Sequence, residues 1–554
     1  MQLNELARSG GDAIDYQKVA FDYERCADQE VAQPARRPVA VVGAGPVGLA
    51  LAIDLAQRKV PVVVLDNDCT LSTGSRAICF AKRTLEIFDR LGCGDRVADK
   101  GVSWHVGRVF FREQQVYSFD LLPETGHARP AFVNLQQYYV EGYLAERAAA
   151  LPLVDVRWKN AVSGAEQHDD HVLLTIDTPD GPYRLAVDHV AACDGARSTL
   201  RRLLNLEAKG RTFKDRFLIA DVRMKQDAPA ERWFWFDPEF HRNQSVLLHR
   251  QPDGVWRIDF QLGWDADPEE EKKPEKILPR VKALLAHSAM KDVAFELEWA
   301  SVYTFSCLCM DSFRHGRVLF AGDAAHGVSP FGARGANSGV QDADNLAWKL
   351  AAVLGGHAPD ALLDTYARER EFAADENIRH STRATDFITP KSAISRVFRD
   401  AVLDLAKTHP FARTLVNSGR LSTPSTLHGS SLNTPDVDAF RGAMGPGAPA
   451  ADAPVMLPDG TPSWLLAQLG AGFTVLVAGA VPATLTDVDG HGMDIRFLGV
   501  GSDIADPSGM LAQRYDLRPG TTVLFRPDQH VCARWRQADA ARVTGAIRRA
   551  LALR

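Results

Sequence analysis

Three groups of residues have the types and spacing to do chemistry. The first is Val39-Ala-Val-Val-Gly43-Ala-Gly45-Pro46-Val-Gly48, a Gly-x-Gly-x-x-Gly turn that follows four apolar residues and opens an apolar helix. Gly43 permits a tight turn, Gly45 lets backbone approach a pyrophosphate, and Gly48 lets helix and strand pack closely; the helix N-terminus, with Pro46, faces the anion. A second apolar run, Val62-Val-Val-Leu65, ends in Asp66, 23 residues after Gly43, where a carboxylate can accept a hydrogen bond from a ribose hydroxyl. Strand, turn, helix, strand and acid in this order read as a dinucleotide-binding unit. The second group is Asp194-Gly195, which stops the apolar strand starting near Asp188. Such strand ends point ligands out of an open α/β sheet. The third is Gly322-Asp323-Ala-Ala-His326 with the Gly-rich loop Pro330-Phe-Gly-Ala-Arg-Gly335-Ala336-Asn337-Ser-Gly339, ahead of a helix expected from Val340 to Leu354. A loop of this kind at a helix start offers N–H donors and a favourable dipole to a negative ligand edge.

Alternating strands and helices must position the first two groups. From Val39 to about Arg202 the pattern predicts helices over Ala81–Leu91 and Gln136–Ala150, then a hairpin of Val172–Ile176 and Tyr183–Val187 around Asp180-Gly181. Between about Phe213 and Thr304 aromatic and β-branched runs dominate, including Trp233-Phe-Trp-Phe236, which predicts a mostly antiparallel sheet interrupted by the charged helix Pro268–His287. The α/β pattern returns at Arg317–Ala321, with further helices over Ala361–Arg383 and Ala393–Thr408. A Ser/Gly/Ala/Pro-rich stretch near 422–462 reads as a linker, and a small α/β unit closes the chain. The fold class is therefore α/β. The domain reading is an arm over 1–37, lying on the surface with a short helix near Tyr16–Glu24, then a cofactor domain over 38–212 and 306–421. A substrate sheet over 213–305, a linker over 422–454 and a terminal domain over 455–554 complete it.

Composition excludes several classes. A formal net charge of −6 gives no basic field for nucleic acid. Eight cysteines without a C-x-x-C pair do not make a disulfide scaffold, and free thiols fit a reducing cytoplasm. Met1–Glu5 lack a basic start and apolar core, and the most apolar region, Val39–Ala56, is broken by three glycines and Asp54, so neither a leader nor a membrane span is expected. No metal site is expected.

The three motifs together resemble the single-component FAD-dependent aromatic hydroxylases, the group A flavoprotein monooxygenases, over about residues 38–385. The likeness is to the phenol and hydroxyphenylpropionate hydroxylase branch, whose members carry a thioredoxin-like C-terminal domain. The resemblance implies a glutathione-reductase-type, Rossmann-like FAD domain with an inserted substrate sheet. It implies that Gly43, Gly45, Pro46 and Gly48 hold the FAD pyrophosphate and Asp66 the adenosine ribose. Arg76 and Gln137 would contact the phosphate or ribityl region, and Asp194-Gly195 would lie near FAD and the path of NAD(P)H. Asp323, after Gly322, would bind the ribityl chain. Pro330, Gly335, Ala336 and Asn337 would lie beside the isoalloxazine, with backbone N–H groups of Ala336 and Asn337 at its pyrimidine edge. His326 is read as a core histidine. Ser329-Pro330 departs from the Pro-Pro of many relatives, and residues 455–554 depart from thioredoxin in holding Cys532 alone.

The implied reaction is hydroxylation of a phenolic compound. NAD(P)H reduces FAD, reduced flavin traps O2 as the C4a-hydroperoxide, and the electron-rich ring attacks its distal oxygen. The protein must exclude water and help deprotonate the phenol. His249, Arg257 and Tyr303 on the substrate sheet are the candidate polar groups, with Arg257 as partner for a substrate carboxylate. The expected partners are thus an aromatic substrate, O2, NAD(P)H and a second copy of the chain in a homodimer. A flavin-dependent halogenase would show Trp-x-Trp-x-Ile-Pro, which Trp233-Phe-Trp-Phe-Asp-Pro238 is not. Another FAD oxidoreductase of the same fold, or a carrier or regulatory protein that binds FAD without chemistry, are the remaining alternatives.

Overall fold

The computed structural model describes residues 14–72, 76–225, 229–288, 290, 293–416 and 421–553. Residues 1–13 of the expected arm and Thr73, Gly74 and Ser75 of the segment before Arg76 lie outside these. The core of the first layer is a parallel sheet in the spatial order Val318–Phe320, Tyr183–Ala192, Ala35–Val42, Val62–Leu65, Val154–Arg157. Its strands are near-continuous apolar runs, as sheets covered on both faces require. Tyr183–Ala192 is one strand rather than two: its first half closes a hairpin on Val172–Asp177, and the whole runs parallel to Ala35–Val42. That strand therefore starts inside the segment read as an arm. The arm itself is anchored. It forms single 3-10 turns at Tyr16–Lys18 and Ala27–Gln29 instead of a helix, buries Tyr16 and Phe21, and stacks Phe21 on Trp158 with ring centroids 4.3 Å apart. Burial of these rings is what overrides the polar composition of the segment.

The helix Pro46–Gln57 is apolar on nearly all sides because it is enclosed by the sheet and by the helix Gly335–Leu354. Glycine makes that enclosure close: a Cβ on Gly339 would press into Val47. The second helix starts at Gly335, five residues before the expected Val340, so the loop motif is itself the first helical turn.

The second layer is an eight-stranded sheet. It holds Arg232–Phe236, Ser245–Arg250, Val255–Leu262 and Phe295–Met310, where the sheet was expected, the long strand Ala208–Met224, the short edge strand His326–Gly327, and two that the domain boundaries had left with the cofactor domain, Val106–Phe111 and Gln114–Asp120. Val106–Phe111 joins by parallel pairing with Arg232–Phe236. One face, with Leu218, Trp233, Trp235, Trp256 and Phe260, packs on the helix Pro274–Ala286. The other face looks toward the cofactor layer.

Residues 454–553 form a four-stranded mixed sheet in the order Ile495–Val500, Phe473–Ala478, Thr522–Phe525, Val531–Trp535, with the helix Ala540–Ala550 against it. Pro462–Trp464 is a short strand paired with Pro454–Met456. Cys532 is buried in this core. No described helix is long and apolar enough to cross a membrane.

Candidate active site

The first turn folds on itself at two glycines and opens at the third. Gly43 has φ +106° and donates its N–H to the Leu65 carbonyl at 2.8 Å; a Cβ there would run into the Cys193 carbonyl. A Cβ on Gly48 would overlap the Gly43 carbonyl. A Cβ on Gly45 would meet nothing within 4 Å. The turn thus leaves backbone bare at the one position where a ligand must approach. Gly45 caps Pro46–Gln57 without a side-chain bond, so the first N–H groups of that helix point outward unspent. Asp66 locks the turn to the second strand by accepting the N–H groups of Ala44 (2.6 Å) and Asp68 (2.8 Å), one on each oxygen. Each oxygen keeps a further lone pair for a hydroxyl donor. Burial raises the Asp66 pKa.

The third motif is built around a buried acid that the sequence reading did not single out. Asp342, two turns into Gly335–Leu354, accepts the Gly322 N–H (2.9 Å), His326 Nε2 (2.6 Å) and Arg370 Nε (2.6 Å). Burial alone would raise its pKa, but His326 and Arg370 hold it below the usual carboxylate range. His326, stacked on Phe313, is therefore a structural ligand of Asp342. Gly322 takes φ +61°, and this bend turns Asp323 outward. Asp323 is solvent-exposed yet recessed in a cleft, where enclosure by protein raises its pKa against the pull of His326 and Arg76. Its Oδ1 lies 3.9 Å from where a Cβ on Gly335 would stand, so the carboxylate and the start of the loop helix face the same space. Pro330 begins a 3-10 turn that ends at Ala333 in the left-handed region, φ +51°. The Asn337 amide bridges outward, accepting the Ala81 N–H (2.8 Å) and donating to the carbonyls of Cys79 (2.8 Å) and Ala333 (2.6 Å). Asn337 thereby pins the segment Cys79–Ala81 over the loop, while the helix N-terminus remains directed at the cleft.

Asp194 caps the next turn through Oδ2 and the Leu200 N–H (3.1 Å), and its Oδ1 is buried without a hydrogen-bond partner among the described residues. Beside it Gly195 has φ +75° and open space around its Cα. Gln137 is occupied by protein: it accepts the Ala77 N–H (3.0 Å) and donates to Ser72 (3.0 Å) and Glu141 (2.7 Å). It anchors the segment that presents Arg76. The Arg76 side chain is exposed and acts electrostatically on Glu141, Asp323 and Tyr303, which brings these groups to one region.

Strand register puts His249, Arg257 and Tyr303 on one face of the second sheet. Arg257 lies opposite both His249 and Asp221, and Tyr303 opposite Phe217, two pairs along from Asp221 on the same face. Arg257 does not stand free for a substrate carboxylate. Its Nε and Nη2 grip Asp221 at 3.0 and 3.3 Å, and Nη1 donates to the Arg76 carbonyl at 3.0 Å. The partner expected from outside is an acid of the neighbouring strand. His249 is buried, and burial together with Arg232 and Arg257 drives its pKa well below 6.5, so its ring is neutral. Its Nε2 lies 4.0 Å from Asp259, whose pKa burial raises to about 6. Tyr303 is 44% exposed and opens into the cleft, and enclosure together with Asp323 keeps its phenol protonated. Next to it Phe305 and Phe217 pack on Phe331 of the Gly-rich loop, with centroids 5.3 and 4.7 Å away.

Beyond Phe331 a cavity partly open to solvent lies between this sheet face and the helix Leu362–Ile388. Phe234, Phe236, Phe331 and Arg232 are among its walls. Asp221, Asp259 and Arg232 were not among the sequence candidates. Alternation from Arg257 gives Asp259 the same face, but Arg232 reaches it only through pairing with His249, which no local pattern encodes.

A Gly-rich cradle left bare at Gly45, an acid at the second strand, an unpartnered buried Asp194 oxygen and an outward Asp323 fit a flavin dinucleotide laid along the cleft. The protein is of the FAD-binding flavoprotein class. Residues 36–381 match the family model described as FAD binding domain. The chain is 31% identical, over 92% of both chains, to a 6-methylpretetramide 4-monooxygenase of Streptomyces rimosus. It is 28% identical to a 3-(3-hydroxy-phenyl)propionate/3-hydroxycinnamic acid hydroxylase of Mycobacterium sp. (strain JLS), over 89% of this chain and 88% of that one. The fold matches the crystal structure of the flavin-dependent monooxygenase PieE in complex with FAD and substrate, with a TM-score of 0.81, 22% identity, and 94% and 100% of the two chains covered. The chain belongs to the FAD-dependent aromatic hydroxylases and is an enzyme of that family.

Proposed function

We propose that this enzyme hydroxylates a phenolic aromatic compound with NAD(P)H and O2, and that the phenol lies over the polar face of the second sheet. The observation that carries this reading is the meeting of two layers at one cleft: Asp323 and Arg76 of the cofactor layer act electrostatically on Tyr303 of the sheet. Bound FAD, reduced by a nicotinamide and reoxidised by O2, would supply the electrophilic oxygen. The chain's own residues do the rest. Phe217, Phe305 and Phe331 keep bulk water from the reacting edge. Tyr303, protonated, donates a hydrogen bond. Asp259, with the neutral His249 beside it, takes the phenolic proton, which raises the nucleophilicity of the ring. A relative named for 3-(3-hydroxy-phenyl)propionate supports a phenol as the substrate.

Asp259 gives this reading a pH signature. Its carboxyl is protonated below about pH 6 and ionised above it, so kcat/KM rises with pH through that value and then levels. Arg257, Asp221, Arg232 and His249 are the charged and titratable groups that face it. Asp259→Asn is expected to lower kcat/KM by about 100-fold and to remove the rise. The check is product formation, with NAD(P)H consumption, against a panel of phenols from pH 5 to 9. A flavin-loaded protein that forms hydroxylated product from no phenol would overturn the reading, and an unchanged profile in Asp259→Asn would remove Asp259 as base.

A further inference from the structure

One buried cation on the sheet face makes no contact ion pair among the described residues, and Asp259 acts on it only at longer range. Arg232 is 6% exposed, lines the cavity beyond Phe331, and takes part in no ion pair among the described residues. Its Nη2 donates to the Phe331 carbonyl at 3.2 Å, and its Nε is buried without a hydrogen-bond partner. The neighbouring arginines differ. Arg257 is held by Asp221 at 3.0 Å, and Arg334 donates to Asn377 at 2.8 Å. A guanidinium out of water without an anion is a costly arrangement, and burial here presses Arg232 toward losing its proton. Proteins keep such a group where something arrives to complete it.

The cavity specifies what arrives. Arg334, His380 and Arg383 also line it, and among the described residues no aspartate or glutamate does. Phe234 and Phe236 project into it from the same strand as Arg232, two and four residues on, because alternate side chains share a face. Apolar aromatic walls ending at an unpaired planar cation suit a ring that carries an anionic group. The guanidinium fork matches a carboxylate, which is ionised at neutral pH.

We propose that Arg232 binds the carboxylate of the substrate, so that the enzyme selects aromatic acids over the corresponding neutral compounds. The proposal rests on the hydroxylase reading only in calling that ligand the substrate. The acid site moves from Arg257, which the sequence pattern favoured, to the arginine facing it across His249. Arg232 is a positioning and specificity residue, and no proton or electron passes through it.

The test uses the FAD-loaded enzyme and a panel of phenolic carboxylates of one to three rings, each paired with its primary amide. Binding is read from the perturbation of the flavin absorbance without NAD(P)H. At least one acid is expected to bind about 10- to 100-fold more tightly than its amide. In Arg232→Gln that preference disappears through weaker binding of the acid, while the amide changes by no more than about twofold; Arg232→Lys restores part of it. Both variants should keep full FAD content, since Arg232 makes no contact ion pair among the described residues and Arg257 remains beside Asp259. If no acid outbinds its amide in the parent enzyme, or if Arg232→Gln weakens acid and amide alike, the assignment falls. If acids bind in an Arg232-dependent way but none is hydroxylated with NADH or NADPH, the acid site stands and the hydroxylase reading fails.

Discussion

Gly45→Ala is expected to fold as stably as the parent without its FAD and to lose FAD affinity by about 100-fold, whereas Gly43→Ala should lose both stability and flavin. The two glycines stand two residues apart in one motif, and the structure separates their duties. At Gly45 the space a Cβ would fill holds no protein atom within 4 Å. That space is where the resemblance puts the pyrophosphate, so a methyl group there is expected to displace the ligand and nothing else. At Gly43 the backbone has φ +106°, which costs a residue with a Cβ about 1–2 kcal/mol, and the added atom also collides with the Cys193 carbonyl. Cys193 precedes Asp194, so the clash would push apart the parallel strands Ala35–Val42 and Tyr183–Ala192. Thermal unfolding of the FAD-free proteins and flavin fluorescence titration read the two effects apart. A Gly45→Ala protein that retained full FAD affinity would mean that the pyrophosphate does not lie on this turn.

The same contrast explains how much of the site could be read from the sequence. The Gly43–Gly48 turn and Asp66 are local: glycines, an apolar strand and a helix follow one another, and each constraint acts within a few residues. The Gly-rich loop was legible for the same reason, although its helix starts at Gly335 because Asn337 secures the first turn by bonds to Cys79 and Ala81, more than 250 residues away. The second sheet was legible as a composition but not as a list of members. Val106–Phe111 enters it by pairing Val109 with Phe234 across 125 residues, and no periodicity announces that partner. Side-chain direction was partly legible: period-two alternation puts Phe234 and Phe236 toward the cavity and Trp233 and Trp235 toward the outer helix. Charge pairing was not. Arg257 and Arg232 share a face, and only the position of Asp221 on the adjacent strand decides that the first is satisfied and the second is not.

Glu369→Gln is expected to destabilise the protein by about 3–5 kcal/mol while leaving every apolar contact in place. Glu369, on Leu362–Ile388, is the anion that joins the terminal domain to the helix Gly335–Leu354. Its Oε1 accepts Arg526 Nη1 at 2.7 Å and the Ser430 hydroxyl, and its Oε2 accepts Lys349 Nζ (2.7 Å), Asn345 Nδ2 (2.8 Å) and Arg526 Nη2 (3.1 Å). Burial by itself would raise the pKa of this carboxyl, yet Arg526 and Lys349 hold it far below its ordinary value. Lys349 is correspondingly strained: burial pushes its pKa down to about 8 against the pull of Glu369. Neutralising Glu369 leaves two buried cations facing each other with Asp528 as the remaining acid, which Arg526 already engages at 2.5 Å. Lys349→Met removes one of those cations and should cost less than about 1–2 kcal/mol, because Arg526 still satisfies Glu369. The double variant Glu369→Gln/Lys349→Met should therefore be more stable than Glu369→Gln alone, a non-additivity that chemical denaturation can measure. The sign with pH follows from the depressed carboxyl: its contribution is present above about pH 4.5, the unfolded value, and is lost as pH falls, so the gap between parent and Glu369→Gln should narrow in acid. Asn345 and Lys349 sit on the same helix as Asn337, about two and three turns from it, so this network fixes the far end of the element whose near end carries the Gly-rich loop. A Glu369→Gln protein as stable as the parent would show that the cations find other partners and that the two domains do not depend on this carboxylate.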